Sequence, residues 1–312
     1  MTEAPAPTAP PTVAPLPYHR LAHLEPRAAR WWRPLTTVLV VLGLYLPAAV
    51  LAFVVLALAT FAVPGIPMPS AEFEDPRNPV DIAVLFGSLA LLVPAVVLGV
   101  RWGGGRRGTI HSVVGRVRWA MLLKAAAVVV PLYLALSWGL YLLDPAAESP
   151  AGRFDATLLV VLAVVVVLVP LQCAAEEYAF RGLPLQALGT WLRSPVWGIV
   201  LPVPLFMAGH GYDWVGQVDI AVFALCMGFL VWKTGGLELA IVAHTANNLA
   251  AMTIAPLDTD SLAQGAIDPV VLLMTVPTTL VVTAGMTVWV SRRHGLRPLE
   301  PLRGTGGPAR PQ

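Results

Sequence analysis

Five ionisable side chains lie deep within apolar stretches of this sequence, where a charge is costly. They are Glu176, Glu177, Arg181, His210 and His244. A charged residue at the centre of a membrane costs about 2.5–3.5 kcal/mol on insertion scales, so such groups usually pair, line a wet cavity or take part in a reaction. A buried ion-pair network with a folding role is the simpler explanation for a single group. Two carboxylates with two imidazoles favour a functional site, because these groups exchange protons with water or substrate.

The spacing of the two glutamates predicts different roles for them. In an α-helix, residues four apart lie on one face, whereas adjacent residues point about 100° apart. Glu177 and Arg181 are four apart with the acid first, which is the favoured order for an ion pair. Glu176 then lacks a partner and points in another direction. We therefore predict that Glu176 is a general base and that Glu177 and Arg181 neutralise each other.

Two further pairs at the same spacing lie on other apolar stretches. Phe206 precedes His210 by four residues, and His244 precedes Asn248 by four. Each pair would share a helical face, so that one imidazole lies beside an aromatic ring and the other beside an amide. At about 1.5 Å per residue, Glu176 and both histidines lie roughly 12–22 Å from the same side of the membrane. We predict one cavity, open to that side, that holds all three.

The stretches that carry these residues have the length of transmembrane helices. The chain has 312 residues, of which 57% are hydrophobic and 12% charged, whereas soluble domains carry about 25% charged residues. Runs of roughly 20 apolar residues, each able to cross a bilayer, recur along the sequence. We predict an all-α integral membrane protein, a bundle of about eight transmembrane helices, at residues 35–63, 80–100, 119–143, 156–188, 195–212, 218–233, 236–256 and 268–290.

Charges between the predicted helices indicate their orientation. Alternate connections are basic, with five arginines between residues 101 and 118, and the others are mainly acidic. The positive-inside rule then places both termini in the cytoplasm, and we expect a bacterial plasma membrane. We interpret the basic loop as a topology signal rather than a site for a particular lipid. Residues 1–34, which are rich in proline, and the basic residues 291–312 are predicted to be disordered cytoplasmic tails outside a membrane domain at 35–290.

Other chemistries fit the sequence less well. There is no His-Glu-x-x-His motif of a zinc protease, and no aspartate lies deep in a predicted helix, which excludes a paired-aspartate protease. Cys173 and Cys226 both lie in apolar stretches, so a disulfide framework is not supported. We interpret Cys173 as a packing residue rather than a nucleophile, because cysteine is commonly buried. Nothing in the sequence suggests nucleic-acid binding, since no basic stripe is interleaved with aromatic residues.

Three short motifs resemble those of the CAAX protease and bacteriocin-processing family (CPBP, or ABI) of intramembrane proteases. Residues 176–181, Glu-Glu-Tyr-Ala-Phe-Arg, fit Glu-Glu-x-x-x-Arg; residues 206–210, Phe-Met-Ala-Gly-His, fit Phe-x-x-x-His; residues 244–248, His-Thr-Ala-Asn-Asn, fit His-x-x-x-Asn. Each motif alone is weak, but three in order on separate predicted helices are specific. The resemblance covers about residues 155–256, and the first three predicted helices carry no such motif.

The resemblance implies an intramembrane endopeptidase that acts on membrane-associated proteins or peptides, CAAX-like or of the bacteriocin type. No motif here encodes the prenylated substrate of the family's eukaryotic members. The resemblance assigns roles to seven residues: water activation to Glu176 and His210, oxyanion stabilisation to His244 and Asn248, and structural support to Glu177, Arg181 and Phe206.

Three alternatives stay open at this point. A metal-dependent variant would use His210, His244 and Glu176 as zinc ligands, whereas a glutamate that activates water needs no metal and no other cofactor. A non-catalytic immunity protein or scaffold would need the motif residues only for folding. A proton-coupled transporter would use them as a relay, although no inverted repeat of broken helices supports that reading.

Overall fold

The computed structural model of the protein describes residues 15–106, 108–143, 154–258 and 262–304. In this part of the chain the secondary structure is helical, with no β-strand. Eight helical segments make up the bundle: α1 (Arg33–Ala62), α2 (Pro79–Trp102), α3 (Trp119–Leu143), α4 (Ala156–Trp191), α5 (Val196–Ala208), α6 (Trp214–Thr234), α7 (Glu238–Asp258) and α8 (Pro269–His294).

Each predicted transmembrane helix coincides with one of these segments. Six of them, α1, α2, α3, α4, α6 and α8, are long and apolar enough to cross a membrane. The other two depart from this in different ways. α5 is apolar but short, with a turn at Leu201 and Pro202, and α7 carries the polar residues His244, Asn247 and Asn248 near its centre. The predicted all-α membrane bundle is confirmed, and the two segments that depart from a simple span both carry a motif.

The centre of the bundle is α7, which packs against α3, α4 and α6. Its buried face is built largely from alanine, and Ala240, Ala243, Ala246 and Ala250 are at most 1% exposed. Small side chains allow neighbouring helices to approach closely, which is how helices associate in membranes. By contrast, only 6% of the residues in the most apolar 18-residue stretch of α1 are buried, so α1 lies at the periphery of the bundle.

α1 is attached to the bundle mainly through α2. Gly99 and Gly103 of α2 form the close contact, because a Cβ at Gly99 would lie 2.4 Å from the Val41 side chain and one at Gly103 would lie 2.0 Å from the Thr37 hydroxyl. Any larger residue at either position would push the two helices apart. The contact fixes the first half of α1 against the last turns of α2.

One end of the bundle, which we call the basic end, is formed by residues 15–32, 103–118, 192–195, 235–237 and 295–304. These segments bind one another through backbone hydrogen bonds, from Val113 to Gly235 (2.8 Å), from Leu302 to Lys233 (2.9 Å) and from Gly304 to Leu16 (3.1 Å). The described parts of the remaining connections lie at the opposite end, where Arg77 pairs with Asp155 at 2.7 Å. The alternating charge pattern of the sequence therefore becomes a separation of charge between two faces of one bundle.

Parts of both predicted tails are folded at the basic end. Residues Tyr18–Leu24 form a 3-10 helix, and the hydroxyl of the fully buried Tyr18 donates to the Ile110 carbonyl at 2.5 Å. The Lys233 ammonium donates to the carbonyls of Arg297 (2.7 Å) and Glu300 (2.5 Å). The prediction of disorder is therefore wrong for residues 17–24 and 295–304, because tertiary contacts order segments of low local propensity. Residues 1–14 and 305–312 lie outside the described residues.

An ion pair joins the start of α3 to the α6–α7 turn. Glu238, whose role the sequence does not explain, is 2% exposed. Its Oε1 accepts from the Arg118 backbone N–H (2.8 Å) and Nε (2.9 Å), and its Oε2 accepts from Nη2 at 2.5 Å. The third guanidinium nitrogen of Arg118 donates to the Thr234 carbonyl at 2.8 Å. Such a bidentate arrangement is a strong and geometrically specific form of ion pair.

Reporter fusions test the orientation of the bundle. We expect a reporter fused after Arg118 to lie in the cytoplasm and one inserted in the 258–268 connection to lie outside, because the basic end should face the cytoplasm. Paired phosphatase and fluorescent-protein reporters measure the side at each site. If both positions report the same side, the eight-segment topology is wrong.

Replacing Glu238 by Gln should destabilise the protein, since Arg118 then loses its charge partner. Breaking a buried pair typically costs about 3–5 kcal/mol, and we expect the lower part of that range because Arg118 is partly exposed. The double variant Glu238→Gln with Arg118→Met should recover part of the loss. Thermal unfolding in detergent measures the effect, with Arg292→Gln, an exposed cation of α8, as the control. Equal unfolding temperatures for Glu238→Gln and Arg292→Gln would show that the pair adds no stability.

Candidate active site

The three motifs meet where α4, α5, α6 and α7 pack together, and Phe206 is the side chain that joins them. The Arg181 guanidinium carbon of α4 lies 3.9 Å from the centre of the Phe206 ring. The same ring centre is 4.7 Å from that of His210 and 6.4 Å from that of His244 on α7. Phe206 is 2% exposed, so these contacts are made in the interior. The structure thus brings all three predicted motifs to one place.

His244 lies between the two glutamates of α4. Its Nδ1 is 2.8 Å from Glu177 Oε1, and its Nε2 is 3.6 Å from Glu176 Oε2. The prediction that Glu176 lacks a partner is therefore wrong. Adjacent helical carboxylates point in different directions, yet both reach one imidazole because its two ring nitrogens lie on different sides of the ring. His244 is 3% exposed, Glu177 is fully buried and Glu176 is 8% exposed.

The predicted pair of Glu177 and Arg181 is present, with Nη1 and Oε1 3.1 Å apart. Glu177 directly precedes a π-helical turn, Tyr178–Gly182, and Arg181 lies within it. The Leu183 N–H donates to the Tyr178 carbonyl across this turn. Such wider turns inside α-helices are frequent at functional sites. Arg181 also lies over the Phe206 ring, and its guanidinium carbon is 5.9 Å from the centre of the Phe223 ring. Glu177 therefore contacts both Arg181 and His244, whereas Glu176 has only the longer contact to His244.

His210 lies just after the end of α5 and is half-buried. Its Nδ1 is 2.8 Å from the Phe206 carbonyl oxygen. A carbonyl oxygen can only accept, so Nδ1 carries the proton, and Nε2 of the neutral ring keeps a lone pair for another donor. Gln217 of α6 holds this segment by donating from Nε2 to the His210 carbonyl at 2.6 Å. Among the described residues His210 forms no ion pair with either glutamate.

Asn248 lies four residues after His244 on α7 and is half-buried. Its side-chain nitrogen is 3.5 Å from Gln172 Oε1, at the outer limit of a hydrogen bond, and its Oδ1 accepts from the Asn247 amide at 3.2 Å. Gln172 is 4% exposed and lies four residues before Glu176 on α4. The amide of Asn248 is thus held beside the glutamates on the face of α4 that carries Glu176.

Two residues of the site are missing from the sequence analysis. Gln172 had a detectable signal, because it is a polar residue in an apolar run, four residues before Glu176. Phe223 of α6 had none, since a phenylalanine in a transmembrane helix is unremarkable by sequence. Its ring centre is 4.9 Å from that of His244, in an edge-to-face arrangement. Such aromatic walls exclude water from the glutamates and the imidazole.

The thiol of Cys173 is fully buried and donates to Gln172 Oε1 at 3.3 Å. The packing role predicted for Cys173 fits this burial. Because Cys173 lies three residues before Glu176 on α4, it is the informative control for any experiment on the nucleophile.

The residues named for a zinc-dependent variant do not form a ligand set. Among the described residues, no group of three or more His, Cys, Asp or Glu side chains is arranged to hold a metal ion. Nδ1 of His244 faces Glu177 and Nδ1 of His210 faces a carbonyl oxygen, so Nε2 is the nitrogen of each ring that remains for a ligand.

The cavity predicted beside Glu176 is not seen at the cleft between α4, α5 and α6. That cleft borders Arg181 and Phe206 and is too narrow to hold a water molecule. Glu176 and His244 are outside its lining. In this conformation the glutamates and His244 are enclosed by packed side chains.

The loop of the basic end reaches the first motif through His111. Its Nδ1 hydrogen-bonds to the hydroxyl of Tyr178, the residue after Glu177, and its backbone carbonyl accepts from the Leu237 N–H at 3.1 Å. Burial lowers the pKa of His111 from its ordinary value, against the opposing effect of Glu238. The neutral ring therefore links α4 to the start of α7 near neutral pH.

Comparison with known proteins agrees with the motifs. Residues 155–250 match the family model described as type II CAAX prenyl endopeptidase Rce1-like. The chain is 26% identical over 230 residues to the uncharacterized protein YyaK of Bacillus subtilis (strain 168), a match that covers 70% of this chain and 76% of the relative. No solved structure matches the chain. The matched segment contains all three motifs, and the match supports their resemblance to the CAAX protease (CPBP) family.

Proposed function

We propose that the protein is an intramembrane endopeptidase in which Glu176 activates a water molecule for attack on a peptide bond. The position of His244 between Glu176 and Glu177 carries the proposal. Two carboxylates with an arginine and a protonated histidine form a set with no net charge, which the membrane interior tolerates. Within that set, Glu177 is held by two cations and Glu176 by one long contact. Glu176 is therefore the carboxylate free to take a proton.

In the proposed reaction a water molecule binds between Glu176 and the Nε2 lone pair of His210. The oxygen of this water attacks the carbonyl carbon of the substrate, and Glu176 takes one of the water's protons at the same time. The oxyanion accepts hydrogen bonds from the Asn248 amide and from Nε2–H of His244. The contact from this nitrogen to Glu176 is 3.6 Å, longer than a hydrogen bond, so its N–H can turn to a substrate oxygen. Glu176 then protonates the leaving nitrogen as the C–N bond breaks.

The enclosure of the site supports both the chemistry and the substrate class. Preorganised donors in a site without bulk water stabilise a developing oxyanion far more than donors in water. A peptide would reach the glutamates if α5 moved away from α4 and α6, where a narrow cleft already lies. Apart from Arg181, the side chains that border this cleft are apolar, and it lies in the membrane domain. The proposed substrates are accordingly membrane-associated proteins or peptides, of CAAX-like or bacteriocin type.

The two glutamates should respond differently to neutralisation. Glu176→Gln keeps the shape of the side chain but removes the base, so cleavage should be lost while the unfolding temperature stays nearly unchanged. Glu177→Gln leaves Arg181 and His244 without their shared anion, and breaking a buried pair costs about 3–5 kcal/mol. This variant should unfold early, and Glu177→Gln with Arg181→Met should recover part of the stability. Thermal unfolding in detergent measures both effects.

Cleavage is read by comparing membrane-peptide termini in cells that carry the intact protein and in cells that carry Glu176→Gln. New termini should depend on Glu176, and Cys173→Ala should still produce them because water is the nucleophile. Loss of cleavage in Cys173→Ala with retention in Glu176→Gln would assign the reaction to the thiol. If no terminus distinguishes the two cell lines, the site is not a peptidase, as a scaffold or a transporter would require.

Metal content provides a separate test of the mechanism. If Glu176 and His210 activate the water without a metal, the purified protein should contain less than one zinc ion per chain and keep its activity after strong chelation. Elemental analysis and activity after dialysis against a chelator measure this. Stoichiometric zinc whose removal abolishes cleavage and whose return restores it would make His210, His244 and Glu176 ligands instead.

A further inference from the structure

A groove at the basic end is separate from the candidate active site. It lies between the start of α1, the end of α2, the following loop, the last turns of α4 and the 3-10 helix at residues 18–24. It is a shallow groove that is open on one side. Much of its wall is apolar, formed in part by Pro34, Val100, Leu183 and Ala187. None of its lining residues belongs to the site proposed for peptide cleavage.

Arg33 supplies the charge of this groove and has few partners. Its Nε is buried without a hydrogen-bond partner in the described part of the chain. Its Nη1 is 3.5 Å from the Trp102 carbonyl oxygen, and the guanidinium carbon lies 4.3 Å from the centre of the Trp32 ring. A buried donor without an acceptor costs free energy that an added acceptor would recover. Phosphate oxygens match the fork geometry of a guanidinium, which binds them in a bidentate manner.

Tryptophans place the groove at the depth of lipid headgroups. Trp102 and Trp191 directly adjoin the lining residues Gly103 and Thr190 in the chain and are 56% and 41% exposed. The Trp191 indole N–H donates to the carbonyl of Trp31, which is 71% exposed, at 2.7 Å. Indole rings concentrate at the boundary between the bilayer and water. A ligand in the groove would therefore have its polar part at the interface and its apolar part toward the hydrocarbon.

We propose that this groove binds one anionic phospholipid of the surrounding bilayer, with its phosphate on Arg33 and its glycerol and upper acyl chain along the apolar wall. The arginine excess of the basic end favours an anionic over a zwitterionic headgroup. Free phosphate would satisfy the guanidinium but leave the apolar wall uncovered. This inference does not depend on the peptidase activity. The sequence alone favours a topology signal for the basic residues, and the groove at Arg33 is what the structure adds.

A lipid in this groove connects the peripheral α1 to α4, the helix that carries Glu176 and Glu177. Its walls come from α1, α2, α4 and the N-terminal segment, and among these α1 and α4 have few direct contacts with each other. A ligand that binds only the folded state stabilises it in proportion to the logarithm of its concentration over its Kd. The bound lipid should therefore raise the unfolding temperature of the intact protein.

Lipid titration of the full chain in neutral detergent tests the proposal. Phosphatidylglycerol should raise the unfolding temperature more than phosphatidylcholine or inorganic phosphate at equal concentration. Native mass spectrometry should show about a tenfold loss of phosphatidylglycerol affinity in Arg33→Gln, equivalent to about 1.4 kcal/mol. Arg292→Gln removes one exposed charge from the adjoining end of α8 and should keep the wild-type affinity. Equal losses in the two variants, or equal stabilisation by inorganic phosphate, would overturn the proposal.

A second variant keeps the test decisive if Arg33→Gln does not fold. Ala187→Met adds volume to the apolar wall and leaves every charge in place. It should lower phosphatidylglycerol retention while the unfolding temperature without lipid stays close to that of the wild type. Unchanged preference for phosphatidylglycerol over phosphatidylcholine in Ala187→Met would show that the lipid binds elsewhere on the basic end.

Discussion

The interior of this bundle depends on one arrangement, an imidazole held between two carboxylates. Glu177 is fully buried and Glu176 nearly so, and an isolated buried carboxylate costs several kcal/mol after relaxation. His244 contacts both, and Arg181 pairs with Glu177. Removing Glu177 would leave Arg181 without its charge partner in a medium that cannot solvate it. Glu176 has only the longer contact to His244, and in the proposed reaction it is the group that accepts a proton.

Irregularities in the surrounding helices place the side chains of this cluster. The π turn after Glu177 directs Arg181 over Phe206, and α5 ends early so that His210 lies in a short connection beside the same ring. Two contacts fix the position of α7. Glu238 pairs with Arg118 near the basic end, and His244 contacts Glu177 within the membrane domain. Because α7 packs against α3, α4 and α6, its register sets the position of His244 relative to the glutamates.

Two other buried charged side chains bind backbone groups of neighbouring segments. Lys233 is fully buried and donates to two backbone carbonyls of residues 297–300, and Asp81, also fully buried, accepts from the backbone N–H groups of Ser70 and Asp75 at 3.0 Å. In both cases a charge in low dielectric orders a segment that has little core of its own. Arg33 differs from these two residues, because its buried Nε has no acceptor in the described part of the chain. The proposed lipid phosphate would supply one.

The sequence by itself determined the features that depend on local geometry. Apolar length identified the helices, and spacing of four residues identified the pair of Glu177 and Arg181, because both follow from the rise and turn of one helix. Contacts between helices were decided only by the tertiary structure. The sequence left Glu176 without a partner and gave no sign of Phe223, since His244 reaches both from another helix. It also predicted disorder around Tyr18, because periodicity within a segment carries no information about the surface on which that segment packs.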